Sequence, residues 1–278
     1  MPLPASTGLR RLMTAGKVAP ILDGMALLWL CERVIMARPD PGTLIVIPTP
    51  IGNLEDMTYR GIRILKELDA LACEDTRHTR RVFERYSIER PEILFSCNSH
   101  NEKQAADRTL SLLNSGYDVG LCSDAGMPGL SDPGQLLIQK VIEAGFEVDI
   151  LPGPSAVTTA ILAAGVKAAQ FAFLGFLPQR KARRRRAMEL YIESDTALVI
   201  FESPRRLGRF LAEAGELFGE RQGAVCFELT KKFQRVERGS LPKLAADHAE
   251  IEPRGEAVVV IGGANTLPKS DEIDGRPA

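Results

Sequence analysis

The chain has 278 residues, of which 45% are hydrophobic and 26% are charged, and its formal net charge is -1. This composition is typical of a globular protein with a sizeable core, and it excludes a disordered or fibrous chain. A net charge so close to zero excludes a general attraction to nucleic acid, so any such contact has to come from local basic clusters. The length is typical of two domains.

The cysteines and the apolar runs indicate the compartment. The five cysteines are odd in number, well separated and without a CxxC pair, which indicates reduced thiols in a cytosolic protein. No apolar run approaches the length of a membrane span, and the best candidate, residues 25–30, is flanked by Asp23, Glu32 and Arg33. These charges also argue against a signal peptide. The three histidines show no ligand spacing, so we expect no metal site.

Regular structure is predicted to begin after residue 41. Residues 1–41 are interpreted as a poorly ordered N-terminal extension, or as translated sequence upstream of a start at Met36. Residues 43–47, TLIVI, form a β-branched run typical of a strand buried on both faces. Further strands are predicted at residues 70–73, at 92–96, from Val119 and at 146–151. The helices between them are predicted to begin at Asp56, at Asn101, after Pro133 and at Ser155.

Strands that alternate with helices at this spacing predict a parallel sheet in the first half of the chain. In the second half we expect a mixed sheet. Its elements are a strand at 171–175, a basic helix from Arg180, a strand at 197–201, a helix at 204–218, strands at 224–228 and 257–262, and a ribbon at 231–239. The fold class is therefore α/β, with an N-terminal domain at 42–154, a C-terminal domain at 155–265 and a tail at 266–278.

Three of the predicted strands run into loops rich in Pro and Gly. The loops are residues 48–53 (PTPIGN), 123–134 (SDAGMPGLSDPG) and 152–155 (PGPS). Ligands of open parallel sheets bind at the carboxyl ends of the strands, where glycine lets the backbone approach them. The loops are poor in lysine and match neither GxGxxG nor GxxxxGK[ST], so they suit a ligand held by backbone groups and apolar contacts. The alternative is three ordinary strand-to-helix connections.

Ionisable residues cluster at two other strand ends. Glu74, Asp75 and His78 follow the second predicted strand, and His100 lies just before a predicted helix. Such groups supply a general base or orient a substrate, although a surface salt-bridge network with a helix cap would have the same composition. Asp124 also has two candidate roles, which are binding a ribose hydroxyl or an ammonium group and capping its own turn.

The densest basic run follows the apolar segment 176–178. It consists of Arg180, Lys181, Arg183, Arg184, Arg185 and Arg186. Six cations without an intervening acid repel one another unless a polyanion neutralises them, which favours nucleic acid over a merely solvated helix face. Seven further basic residues would extend the patch: Arg205, Arg206, Arg209, Lys231, Lys232, Arg235 and Arg238.

Nine motifs, in unbroken order from about residue 42 to 263, together resemble one family. They are IPTPIGNLED (47–56), CEDTRHTRR (73–81), SHNE (99–102), SDAGMPGLSDPG (123–134), LPGPSA (151–156), GFLP (175–178), FESPRRL (201–207), ELTKKF (228–233) and RGE (254–256). The chain resembles the ribosomal RNA small subunit methyltransferase I group of the tetrapyrrole (corrin/porphyrin) methylase superfamily. The resemblance implies a two-domain class III methyltransferase-like fold, and methyl transfer from S-adenosylmethionine to a cytidine ribose 2'-hydroxyl of 16S ribosomal RNA. It also implies a cytoplasmic homodimer.

The resemblance assigns candidate site residues by motif. The implied cofactor contacts are Pro50, Ile51, Gly52, Ser123, Asp124, Ala125, Gly126, Pro152, Gly153, Pro154, Ser155, Phe176, Leu177 and Gly255. A ribose hydroxyl is a poor nucleophile, so a base should assist, and the candidates are Glu74, Asp75, His78 and His100. The basic run at 180–186 is the candidate RNA contact.

The sequence departs from the family pattern at several points. Met127 stands where Thr is usual, Asn98 stands where a first histidine is common, and the helical tail of many members is not present after Gly263. Two alternatives therefore remain open. One is a methylase of a small tetrapyrrole-type molecule, against which the basic helix argues, and the other is a non-catalytic RNA-binding module.

Overall fold

A computed structural model describes residues 40–250 and 255–265. The predicted extension up to residue 39 and the predicted tail at 266–278 lie outside the described residues, as do Cys31 and Arg254. Cys73, Cys97, Cys122 and Cys226 are buried and form no disulfide. None of the helices in the described part of the chain has the length and apolar character needed to cross a membrane.

The first half of the described chain forms a five-stranded sheet in which every pair of neighbours is parallel, as predicted. Its strands are β1 (Leu44–Val46), β2 (Ala70–Cys73), β3 (Ile93–Ser96), β4 (Val119–Cys122) and β5 (Val148–Ile150). Their order in the sheet is β3-β2-β4-β1-β5. All residues of β2 and β4 are buried, which is the reason why these strands are continuous apolar runs rather than alternating ones.

The first four helices of this half connect the parallel strands, and the fifth leads from β5 to the second sheet. They are α1 (Tyr59–Glu67), α2 (Thr76–Tyr86), α3 (Glu102–Asn114), α4 (Gln135–Glu143) and α5 (Ala156–Ala164). The predicted start of the first helix at Asp56 is wrong, because a short 3₁₀ helix comes first and the Thr58 hydroxyl accepts the N–H of Gly61 as the cap of α1. At the start of α4, the Glu102 carboxylate accepts the N–H groups of Gly134 and Leu136, both at 2.8 Å.

The second half forms a mixed sheet, as predicted. It has five strands in the order β6-β7-β10-β8-β9. The elements are β6 (Phe171–Phe176), α6 (Lys181–Glu189), β7 (Ala197–Glu202), α7 (Leu207–Phe218), β8 (Gln222–Phe227), β9 (Arg235–Ser240), α8 (Leu241–Asp247) and β10 (Ala257–Ile261). Strands β6 and β7 are parallel, and the other pairs are antiparallel. The short helix α8 was not predicted, because no element was assigned between the predicted ribbon at 231–239 and the last strand.

Helix α5 packs on the second sheet rather than the first. Its apolar residues, together with Ile51 from the segment after β1, share one core cluster with Val199, Cys226 and Val258 of the second sheet. The segment that leaves β5 therefore crosses at once from one sheet to the other. This crossing places the carboxyl ends of β1, β4 and β5 next to the second sheet.

Candidate active site between the two sheets

Three loops meet at the carboxyl edge of the first sheet. Loop 1 (residues 48–53) follows β1, loop 2 (123–134) follows β4 and loop 3 (152–155) follows β5, and these three strands are neighbours in the sheet. Thr49 and Gly126 exchange two backbone hydrogen bonds, each of 2.9 Å. The Thr49 hydroxyl also donates to the Ser123 carbonyl at 3.1 Å. Loops 1 and 2 are therefore held together as a short antiparallel bridge.

Glycine is required where the loops cross. Gly126 has φ +81°, and a Cβ there would lie 3.2 Å from the Ile51 side chain and 3.8 Å from the Pro154 carbonyl oxygen. A Cβ on Gly153 would lie 2.7 Å from Cβ of Pro48. A Cβ would thus be crowded between loops 1 and 2 at Gly126 and between loops 1 and 3 at Gly153, while loop 3 lies within van der Waals distance of Gly126. The crowding accounts for glycine at these two positions.

The loops form one side of a cavity of about 290 Å³, and the second sheet forms the other side. Six of the predicted cofactor residues line it: Ile51, Ala125, Gly126, Ser155, Phe176 and Gly255. The other eight lie in the same loops or beside them in the chain without lining the cavity: Pro50, Gly52, Ser123, Asp124, Pro152, Gly153, Pro154 and Leu177. Most of the walls are apolar, which suits a small ligand held by shape and a few polar groups.

The second sheet contributes an aromatic and a glycine to the wall. The exposed ring of Phe176 packs edge-on against Phe201, with 5.5 Å between the ring centroids. Gly255 has φ +97°, and a Cβ there would lie 2.4 Å from the Glu228 carboxylate. That carboxylate accepts the N–H of Glu256 at 2.7 Å. Glycine at 255 therefore lets Glu228 hold the backbone at the edge of the cavity.

Three of the four predicted catalytic residues cluster around Asp124. The Glu74 carboxylate accepts the N–H of Asp124, and the Asp124 carboxylate accepts the N–H of Asp75, both at 3.1 Å. His78 Nδ1 lies 3.3 Å from the Asp124 carboxylate. Asp75 caps α2 by accepting the N–H of Arg77, so its capping role is present. Hydrogen bonds from the Arg77 side chain and backbone keep the pKa of Asp75 below its usual value.

Among the residues that line the cavity, none belongs to this cluster. Burial raises the pKa of Glu74, and the hydrogen bond from the Asp124 N–H opposes that increase. The cluster joins the end of β2 to the start of loop 2, which is a structural function. His100 is further away, in the turn after β3, where its N–H donates to the Asn98 side chain at 3.0 Å and its side chain is exposed. It is separated from β4 by the whole of β2.

Asp132 lines the cavity, although the sequence predicted no functional role for it. Burial raises its pKa to about 6, the charges of Glu74, Asp124 and Glu256 add to the increase, and a hydrogen bond from Ser123 opposes it. A sequence signal existed, because Asp132 is an acidic residue inside the glycine-rich loop 2. The signal was ambiguous, since Asp before Pro is also common where helices start.

The basic helix α6 presents fewer free cations than its sequence suggested. Arg184 is not a surface residue, because its guanidinium is buried, binds Glu213 at 2.5 Å and donates to the carbonyls of Pro178 and Gln179. The expectation that Arg184 contacts RNA is therefore wrong. Acids also neutralise two other members of the run, since Lys181 pairs with Glu216 and Arg185 pairs with Glu189. Arg180, Arg183 and Arg186 are exposed, and none has a carboxylate partner within the described part of the chain.

Most of the predicted extension of the basic patch is also bound internally. Arg206 and Arg209 pair with Glu202 and Glu213, Lys231 pairs with Glu228 and Glu256, Arg235 pairs with Glu237, and Arg238 donates to carbonyls of α5. Arg205 and Lys232 stay exposed. The basic residues that stay exposed are thus mainly those of α6, together with Arg205 and Lys232.

The loops at one edge of a parallel sheet face a mixed sheet across an apolar cavity. Comparison with known proteins shows that this arrangement is that of a two-sheet α/β methylase. The family model of the Tetrapyrrole (Corrin/Porphyrin) Methylases matches residues 43–245. A solved structure of uroporphyrin-III C-methyl transferase from Thermus thermophilus, complexed with S-adenyl homocysteine, is 16% identical with a TM-score of 0.54. The match covers 80% of this chain and 97% of that one, and it shows the likeness of the fold.

Two sequence relatives are much more similar. Ribosomal RNA small subunit methyltransferase I of Thermotoga maritima is 42% identical over 80% of this chain and 99% of its own length. The protein of the same name from Bacillus subtilis is 38% identical over 85% of this chain and 79% of its own length. The chain belongs to the tetrapyrrole (corrin/porphyrin) methylase family and, within it, to the group of ribosomal RNA small subunit methyltransferase I.

The crossing of the three loops at Gly126 is testable with a matched pair of variants. Gly126 and Gly145 both have φ +81°, but a Cβ on Gly145 would have no neighbour within 4 Å. We expect Gly145→Ala to lower the free energy of unfolding by about 1–2 kcal/mol, the cost of a left-handed backbone. Gly126→Ala should cost about 1 kcal/mol more, because Ile51 has to move. Urea denaturation measures both, and equal losses would show that the loops are not in contact at Gly126.

Proposed function

We propose that the chain transfers the methyl group of S-adenosylmethionine to the ribose 2'-hydroxyl of a cytidine in 16S ribosomal RNA. The membership of the family supports methyl transfer, and the names of the relatives in Thermotoga maritima and Bacillus subtilis support the small-subunit RNA as the acceptor. The observation that carries the proposal is the junction of three crowded loops around one apolar cavity.

The residues of the cavity fit S-adenosylmethionine. Apolar and backbone groups of the three loops suit the adenosine and the carbon chain, and Phe176 offers a ring face. The wall also carries the carboxylates of Glu202 and Glu256, whose oxygens can accept hydrogen bonds from the ammonium group of the ligand. When bound, the cofactor supplies an electrophilic methyl group. The loops orient it and exclude water, which raises the rate of an in-line transfer.

In the proposed function, the RNA substrate binds to the exposed part of α6. Arg180, at the start of α6, and Arg183 and Arg186 within it are exposed cations without a carboxylate partner among the described residues, and the helix follows Phe176 and Leu177. Phosphate groups of RNA bind such cations through counterion release. The helix thus suits a polyanionic acceptor better than it suits a small tetrapyrrole, and this favours the RNA substrate.

The remaining parts of the proposal concern organisation. We propose a domain boundary at 154/155, since loop 3 ends there and α5 packs on the second sheet. A homodimer in the cytoplasm is proposed from the family resemblance. The cofactor contacts are proposed to be the residues of the three loops together with Phe176, Leu177 and Gly255.

Calorimetry and methyl transfer together test the proposed activity. We expect the protein to bind S-adenosylmethionine and to transfer labelled methyl to assembled small subunits or to 16S RNA. Nucleoside analysis of the product should show 2'-O-methylcytidine. Absence of cofactor binding would exclude any methylase, and labelling of a tetrapyrrole instead of RNA would support the small-molecule alternative. Cofactor binding is measured first, so that an inactive preparation is recognised.

The proposed RNA contact of α6 is tested by Arg180→Ala, Arg183→Ala and Arg186→Ala combined. We expect weaker RNA binding and a salt dependence whose slope is reduced by about 0.7–0.9 for each phosphate that is no longer neutralised. Cofactor affinity should not change. Filter binding at several salt concentrations measures the slope.

Two controls accompany that variant. Arg63→Ala, Lys66→Ala and Lys103→Ala combined remove the same charge from exposed positions of α1 and α3 and should leave the salt slope as in the wild type. Arg184→Ala should instead lower the free energy of unfolding by about 3 kcal/mol, because it removes the buried ion pair between Arg184 and Glu213. Equal loss of RNA binding in the two triple variants would contradict the assignment to α6.

A further inference from the structure

We infer that Asp132 is the general base that accepts the proton of the acceptor hydroxyl. The inference rests on the proposed methyl transfer to a ribose hydroxyl and names the residue that performs its proton transfer. It replaces Glu74, Asp75, His78 and His100 in this role. The geometry of loop 2 and the partners of the acidic residues in the cavity wall carry the inference.

Loop 2 is folded so that Asp132 reaches the cavity. Its backbone has positive φ at Gly129 (+82°), Ser131 (+65°) and Gly134 (+122°), and the Gly129 N–H donates to the Pro133 carbonyl at 3.2 Å. Ser131 is a rare non-glycine residue in this region of φ, so the surrounding structure has to hold it there. The resulting turn brings Asp132 into the wall, while its neighbours Leu130 and Met127 provide apolar surface on either side.

The second sheet fixes the position of this turn. Strand β6 has a bulge at Gly175, where φ is +58° and a Cβ would lie 2.9 Å from the Ser131 hydroxyl oxygen. The turn therefore rests directly on the strand that also carries Phe176, another cavity residue. Because loop 2 is held from both sheets, the Asp132 carboxylate has a defined place, as a general base requires.

Among the described residues, Asp132 is the cavity carboxylate without an ion-pair partner. Of the three acidic residues in the wall, Glu202 binds Arg206 at 2.7 Å and the Ser203 N–H at 2.6 Å. Glu256 binds Lys231 at 2.8 Å. No ion pair of Asp132 occurs in the described part of the chain. Its carboxylate is thus available to a ligand.

The surroundings also give Asp132 a suitable basicity. Burial, followed by the negative charges of Glu74, Asp124 and Glu256, raises its pKa to about 6, against the hydrogen bond from Ser123. A carboxyl with this pKa is ionised at neutral pH and is a stronger base than an ordinary aspartate. The groups around Glu74 contribute charge to this effect, although they do not line the cavity.

The atoms and charges of the proposed reaction balance when Asp132 accepts the proton. The ribose oxygen forms a bond to the methyl carbon as the carbon–sulfur bond breaks, and the hydroxyl proton passes to a carboxylate oxygen of Asp132. The products are the methylated ribose, neutral S-adenosylhomocysteine and a neutral Asp132. One positive and one negative charge therefore disappear together, which a cavity with apolar walls favours.

The test compares Asp132→Asn, Asp132→Glu and the wild type. We expect Asp132→Asn to bind S-adenosylmethionine like the wild type and to lose methyl transfer to small subunits by about 100-fold or more. Asp132→Glu should recover part of the rate. The rate of the wild type should rise with pH through about 6, the pKa of Asp132, and this rise should be absent in Asp132→Asn.

A readout without turnover accompanies these rates. A carboxyl whose folded pKa is raised binds its proton better in the folded state, so its contribution to stability is lost as the pH rises from 3.8 to about 6. As the pH rises across this interval, the free energy of unfolding of Asp132→Asn should therefore increase relative to that of the wild type. The exposed Asp107, which pairs with Lys140, provides the control Asp107→Asn, for which we expect neither the loss of rate nor that increase.

Three outcomes would overturn the assignment. If Asp132→Asn lost cofactor affinity in proportion to its rate, Asp132 would bind the cofactor rather than the proton. If the variant kept the wild-type rate and its pH dependence, another group would be the base. If the wild type itself bound the cofactor but methylated no RNA, the proposed function would fail, and the role of Asp132 with it.

Discussion

The order of the strands in the first sheet determines where the site forms. Because β1 lies between β4 and β5, the three segments that leave these strands at their carboxyl ends are neighbours in space, although about a hundred residues separate the first from the last along the chain. The paired hydrogen bonds of Thr49 and Gly126 then hold loops 1 and 2 in contact. Everything else in the site, from the cavity wall to the position of Asp132, depends on this junction.

The second sheet completes the site by contacts with the same loops. The Asn53 N–H of loop 1 donates to the Thr230 hydroxyl at 3.0 Å, Ile51 enters the core of the second sheet, and α5 continues loop 3 onto that sheet. The cavity is thus closed by elements that belong to both halves. Its three acidic residues differ in their partners: Glu202 and Glu256 pair with cations from the second half, and Asp132 has no ion pair within the described residues.

Much of this could be predicted from local sequence. Buried β-branched runs, the Pro/Gly loops and the mixed second half follow from patterns within a few residues, and the structure has them where they were expected. Contacts between distant residues could not be predicted in this way. Arg184 was counted as a free cation because Glu213, its buried partner, lies 29 residues further along the chain. Asp132 was missed because a carboxylate before proline has the same local pattern whether it caps a helix or faces a cavity.

Hydrogen exchange with and without S-adenosylhomocysteine tests the junction of the three loops most directly. If the loops form one binding crevice, ligand should slow amide exchange together in residues 48–53, 123–134 and 152–157, and in 255–258 on the opposite wall. The helices α1 and α3, on other parts of the first sheet, should exchange as before. Binding accompanied by protection of only one loop, or of segments outside all three, would contradict the account.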